Sequence, residues 1–144
     1  MSTITSMATR SNDASVCGHV VLRGLLSADD RHHKTAVEYM ETCAAPIVTT
    51  QWILAELGNF LSKGPARRMF APFIRTLRSE HPLSIDEAGG DSFQRAVEFY
   101  GRRADKEWSF VDCTSFLYMK RKRISLALTA DHHFEQAGFT ILLK

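Results

Sequence analysis

The chain has 144 residues, with 18 Lys and Arg against 16 Asp and Glu (formal charge +2), 44% hydrophobic and 24% charged. That length suits one domain with its own core, and the composition excludes wholesale disorder. No run approaches the roughly 18–20 uncharged apolar residues of a membrane span, and three irregularly spaced cysteines (Cys17, Cys43, Cys113) give neither a disulfide framework nor a metal knuckle. Residues 1–15 are rich in Ser and Thr and lack the basic start and apolar stretch of a secretory signal. They are expected to form a disordered or atypical N-terminus ahead of a single domain over residues 16–144. A cytoplasmic protein with reduced thiols is the matching expectation.

The first apolar run, Val16–Leu26, is interrupted by His19 and Arg23. Ala36, Val37, Met40 and Ala44 recur at helical spacing and predict an amphipathic helix over about 30–43. Pro46 ends it, and Ile47–Thr50 reads as a short buried strand. Trp52, Leu54, Leu57, Phe60 and Leu61 predict a second helix that stops near Lys63-Gly64-Pro65, and Met69, Phe70, Phe73, Ile74 and Leu77 a third. A strand follows at 82–85, then a helix through Phe93, Ala96, Val97 and Tyr100, then one after Trp108 carrying Phe116, Leu117 and Met119. A strand at 126–130, a turn of helix around 132–136 ended by Gly138, and a strand at 139–143 complete the pattern. Helices alternating with short strands of little polar alternation predict an α/β fold, a three-layer α/β/α sandwich around a mainly parallel sheet.

Ligands of such sheets sit beyond the carboxyl ends of the strands, so the polar residues that follow each strand carry the interest. Glu56 lies on the first turns of the helix after Ile47–Thr50, within the apolar stretch Trp52–Leu57, where a carboxylate needs a partner. Asp112 opens the helix after Trp108, with Asp105 one loop earlier, and Asp131 directly follows Leu128-Thr129-Ala130. Singly, Asp112 and Asp131 read as helix-capping acids. Together, carboxylates converging from several strand ends call for a hard cation, for which Mg²⁺ or Mn²⁺ is suited. Such an ion activates water and offsets charge developing on a phosphodiester.

Three segments carry a resemblance: Trp52-Ile53-Leu54-Ala55-Glu56-Leu57-Gly58-Asn59, Asp105 through Cys113 with its Ser109-Phe110-Val111-Asp112, and Leu128-Thr129-Ala130-Asp131-His132-His133-Phe134. In order and spacing they resemble the PIN domain family, and within it the VapC-like toxin ribonucleases of bacterial toxin–antitoxin modules and their stand-alone relatives. The similarity runs from about Leu25 to Leu143, including Ala28-Asp29-Asp30-Arg31-His32-His33 and Gln136-Ala137-Gly138-Phe139. The resemblance implies a PIN-like sandwich and Mg²⁺- or Mn²⁺-dependent cleavage of RNA. It also implies a homodimer and, for a toxin, a cognate antitoxin as partner; the lack of a span-length apolar run sets the expectation of no membrane association. It makes Glu56, Asp112 and Asp131 the catalytic, metal-holding acids, with Asp105 an additional metal candidate. Ser109 and Thr129 would orient the carboxylates or a water, or simply cap local structure.

One family feature does not match. The first acid of the family ends the first strand about seven residues before the Leu-Leu of the next helix, and counting back from Leu25 gives Gly18. Asp13-Ala14-Ser15-Val16 has the look of the motif but lies five residues too early. The segment before about Leu22 is therefore expected to be degenerate, with the central strand and one ligand missing or improvised, or else Asp13 is recruited through an altered loop. A nuclease impaired by that loss is the first functional expectation. A catalytically degenerate RNA- or protein-binding module is the alternative. The run Lys120-Arg121-Lys122-Arg123 reads either as a dipole-complementing helix end or as a phosphate-steering patch at the mouth of the acidic site. The pairs His32/His33 and His132/His133 are expected at surface or capping positions, because adjacent helical side chains diverge by about 100°.

Overall fold

The computed structural model describes residues 14–80 and 83–143. Five parallel strands form one sheet in the order β3-β2-β1-β4-β5: β1 Ser15–Cys17, β2 Ile47–Thr50, β3 Leu83–Asp86, β4 Leu126–Leu128 and β5 Thr140–Ile141. Seven α-helices connect them: α1 His19–Leu26, α2 His33–Thr42, α3 Gln51–Phe60, α4 Phe70–Glu80, α5 Ser92–Arg102, α6 Phe110–Lys122 and α7 His132–Gln136, with a 3-10 turn at Pro65–Met69 leading into α4. Every residue of β1 and β4 is buried, so both faces of the two central strands are covered, as the sandwich requires. No helix among the described residues is long and apolar enough to cross a membrane, and all three cysteines are free thiols.

The expected missing strand is present. Ser15-Val16-Cys17 pairs with β2 on one side (Val16 opposite Val48) and with β4 on the other (Val16 opposite Ala127), so the shortest early segment holds the centre of the sheet. Three residues buried on both faces leave no periodicity to read, which is why the segment looked degenerate. Strand β1 already includes Ser15, the last residue of the segment expected to be atypical. Residues 1–13, and with them the candidate Asp13, lie outside the described residues.

Two packing features fix the carboxyl end of the sheet. Phe116, fully buried on α6, meets Trp108, Phe134 and Phe139 with ring centroids 5.0, 4.9 and 5.7 Å away, tying α6 to α7 and to the entry of β5. Trp108 adds a hydrogen bond from its indole N–H to Gln136 Oε1 at 3.0 Å. On the other side, α1 and α2 approach so closely at Gly24 that a Cβ there would lie 3.2 Å from the His32 backbone. The His33 ring nitrogen Nδ1 meets the Gly24 carbonyl at 2.7 Å. His33 thus fastens two helices, and His32, at the N-cap of α2, is buried rather than at the surface.

Candidate active site

The strand order reverses between β1 and β4: the chain moves from β1 outward to β2 and β3, then returns to the opposite side of β1 for β4 and β5. That reversal opens a crevice at the carboxyl ends of β1 and β4, the place where open parallel sheets bind ligands. The Gly18 N–H donates to the Leu128 carbonyl at 3.2 Å, and the Thr49 hydroxyl, at the end of β2, donates to the Cys17 carbonyl at 3.0 Å. Three strand ends are thus stitched at one level.

Asp131 sits at the N-cap of α7. Its Oδ1 accepts the His133 N–H at 2.9 Å, while its own N–H donates to the Thr129 hydroxyl at 3.2 Å. Asp112 belongs to a capping box at the start of α6. Its N–H donates to Ser109 Oγ, and its Oδ2 accepts the Ser109 N–H, both at 3.0 Å. Ser109 is the N-cap of α6 and holds Asp112 in the capping box, whereas the Thr129 hydroxyl takes the Asp131 N–H just ahead of the α7 cap. The His133 imidazole joins the acids, with Nδ1 3.2 Å from Asp112 Oδ2 and 3.5 Å from Asp131 Oδ1. Burial pushes the Asp112 carboxyl above its ordinary range and the negative Asp131 pushes the same way, against the Ser109 N–H and His133, which favour its charged form. Among the described residues, Asp112 Oδ1 and Asp131 Oδ2 accept no protein hydrogen bond.

Glu56, on the second turn of α3, pairs with a residue that sequence reasoning passed over. His19, the first residue of α1, places Nδ1 2.7 Å from Glu56 Oε1. The only available signal was its place one residue after Gly18, where the family resemblance puts an acid. Gly18 is the N-cap of α1, and a Cβ there would stand 3.4 Å from Thr129 Oγ1. The position thus faces β4's end but offers no ligand. Glu56, His19, Gly18, Thr129, Asp131, His133 and Asp112 follow one another across the crevice through these contacts. Each of the three carboxylates keeps one oxygen without a protein donor among the described residues, and Asp112 and Asp131 share the His133 ring; carboxylate oxygens are the donors a hard divalent cation takes.

The remaining candidates are not drawn in. Asp105 is exposed, and Arg103 takes both its oxygens at 3.0 and 3.1 Å, holding its carboxyl below the usual range. Lys120–Arg123 close the far end of α6, about 12–16 Å along the helix axis from Asp112 at a rise of ~1.5 Å per residue. That distance removes them from the mouth of the acidic cluster. Lys120 lies over the Phe99 ring, and Arg121 lines a separate groove with Arg95, Trp52 and Asp86. The rings of His132 and His133 converge to a 4.6 Å centroid separation instead of diverging, at the first two positions of the five-residue α7.

The 23S rRNA-specific endonuclease VapC20 of Mycobacterium tuberculosis (strains CDC 1551 and H37Rv) is 29% identical over 113 residues, 78% of this chain and 86% of that protein. The crystal structure of M. tuberculosis VapC20, a sarcin–ricin loop cleaving toxin, superposes with a TM-score of 0.78 at 26% identity, covering 90% of this chain and 98% of that one. VapBC2 from Rickettsia felis, bound to a DNA fragment from its promoter, has a TM-score of 0.63 at 12% identity, over 89% of this chain and 96% of that one. FitAcB from Neisseria gonorrhoeae gives 0.59 at 13%, over 88% and 95%; these two show the fold alone. No family profile matches the chain. The chain is homologous to VapC20 over most of its length and shares its fold, which is consistent with a PIN-domain protein of the VapC type.

Proposed function

We propose that this chain is a divalent-metal-dependent endoribonuclease of the VapC toxin type, acting in the cytoplasm on a hairpin of ribosomal RNA. The observation that carries the reading is the meeting of Asp112 and Asp131 at the carboxyl end of β4. Two helix N-termini from different parts of the chain aim acids at one imidazole. The ribosomal substrate is taken from the relative VapC20, whose name specifies 23S rRNA. Mg²⁺ or Mn²⁺ would be held by Asp112 and Asp131, with Glu56 reached from the β2 side. When bound there, the ion supplies Lewis-acid activation of water and offsets charge developing on the scissile phosphate. The protein's own part is positioning. Ser109 and Thr129 fix the two acids, and His19 fixes Glu56.

A cognate antitoxin and a second copy of the chain belong to the same reading. The apolar stripe Phe93, Val97 and Tyr100 on α5 is exposed, and Phe93 and Tyr100 lie against Phe110, with Trp52 alongside. A partner copy would cover it; sedimentation of wild type and a Phe93→Ser variant measures whether it does.

The test of activity uses purified chain with intact 23S rRNA and with a synthetic sarcin–ricin loop hairpin, in Mg²⁺, in Mn²⁺ and in EDTA, with cut sites mapped by primer extension. One dominant cut that disappears in EDTA and in Asp112→Asn is the expected result. Tight RNA binding that EDTA leaves unchanged, with no cleavage in either ion, would show a binding module instead.

A further inference from the structure

Resting on the reading of the acidic end as a metal centre, we propose that the centre is a mixed nitrogen–oxygen site in which His133, with His132 beside it, ligates the ion together with Asp131 and Asp112. Its occupant is then a transition ion in the Mn²⁺-to-Zn²⁺ range rather than Mg²⁺. One ligand atom from each of Asp131, His132 and His133 lies within 4.8 Å of the others. Donors about 2.1 Å from a shared ion stand at most about 4.2 Å apart. Small side-chain rotations therefore close the set. His132 has the freedom for that, with its side chain 71% exposed. The fourth donor comes from a different helix: Asp112 on α6 lies 3.2 Å from the His133 ring. The cluster is thus not the end of one short helix but a junction of α6 and α7, braced beneath by Phe116 against Phe134.

The chemistry of the donors follows from what the chain lacks and what it has. Gly18 removes an oxygen ligand from the position where the family resemblance puts one. Imidazole nitrogens stand against all three remaining acids, and the one at Asp112 and Asp131 is shared. Mg²⁺ demands oxygen ligands in near-octahedral array and keeps its waters. First-row transition ions accept imidazole, and the His133 Nδ1 that faces both acids stands where such a ligand would share an ion with them.

The test is pulsed electron paramagnetic resonance of Mn²⁺ titrated into the full chain, supported by calorimetry against Mg²⁺. The proposal expects ¹⁴N couplings from directly bound imidazole, Mn²⁺ affinity at least a hundredfold above that for Mg²⁺, and loss of the couplings in a His132→Gln/His133→Gln variant. Mn²⁺ binding that depends on Asp112 but shows no nitrogen coupling in wild type would overturn the inference and leave the nuclease reading standing. Absence of saturable binding by either ion would overturn both. The wild-type spectrum decides alone if the double variant fails to fold, which circular dichroism monitors.

Discussion

The two imidazole–carboxylate clusters at the carboxyl end of the sheet differ in charge and shelter. On the β2 side, one histidine meets one acid: His19 and Glu56, both side chains about one-third exposed. On the β4 side, one histidine serves two acids, and Asp112 is only 16% exposed. A protonated His19 balances Glu56. A protonated His133 cannot balance Asp112 and Asp131 together, and burial amplifies the surplus negative charge. On the proposed reading, the difference puts the cation at the junction of α6 and α7, with Glu56 the outer participant.

Replacing the inner acid should break the comparison hardest. Asp112→Asn should lower RNA cleavage by on the order of a thousandfold, since a bound ion contributes several kcal/mol of transition-state stabilisation. The same substitution should not destabilise the metal-free protein. The folded pKa of Asp112 lies above its ordinary value, so its contribution to stability is present below the unfolded pKa of about 3.9 and lost as pH rises through the folded one. Thermal melts at pH 7 in EDTA should place Asp112→Asn at or above wild type, with the difference vanishing toward pH 4. Saturating metal should raise the wild-type melt only, by about 2.7 kcal/mol at a hundred times Kd.

Glu56→Gln, on the balanced side, should weaken metal affinity or cleavage by about ten- to a hundredfold, less than the inner acid, as calorimetry and single-turnover assays will show. Gly18→Asp should sharpen the contrast from the other direction. The backbone there is extended (φ −81°) and the nearest neighbour of a Cβ stands at 3.4 Å, so the side chain fits. An acid at this position adds charge between the clusters and should raise metal affinity about tenfold. It also supplies α1 with the side-chain cap it lacks, for a few tenths of a kcal/mol. The smallest effect belongs to Asp105→Asn. Because Arg103 occupies that carboxylate at the surface, cleavage and metal affinity should stay within about twofold of wild type.

Much of the fold was legible because its helices are amphipathic and its strands are bounded by Pro and Gly; the expected turn at 132–136 coincides with α7. Strand β1 was not legible, since three residues buried on both faces carry no alternation. At the site, Asp112 and Asp131 were visible as acids following Trp108 and Ala130. Their common partner His133 was not, because convergence of adjacent imidazoles depends on the Asp131 cap that sets the entry angle of α7. His19 was hidden for a similar reason: only the parallel pairing of β1 with β2 brings α1's first residue across to Glu56 on α3. Asp105 and Lys120–Arg123 had suitable chemistry, but a local ion pair and the length of α6 keep them from the cluster.

The central claim is that the carboxyl ends of β1, β2 and β4 assemble one metal centre despite Gly18. Calorimetric titration of Mn²⁺ into the purified chain, with Asp112→Asn alongside, tests it most directly. One saturable site with micromolar affinity, lost in the variant, is the predicted result. Wild-type protein that folds normally and binds no Mn²⁺ would contradict it.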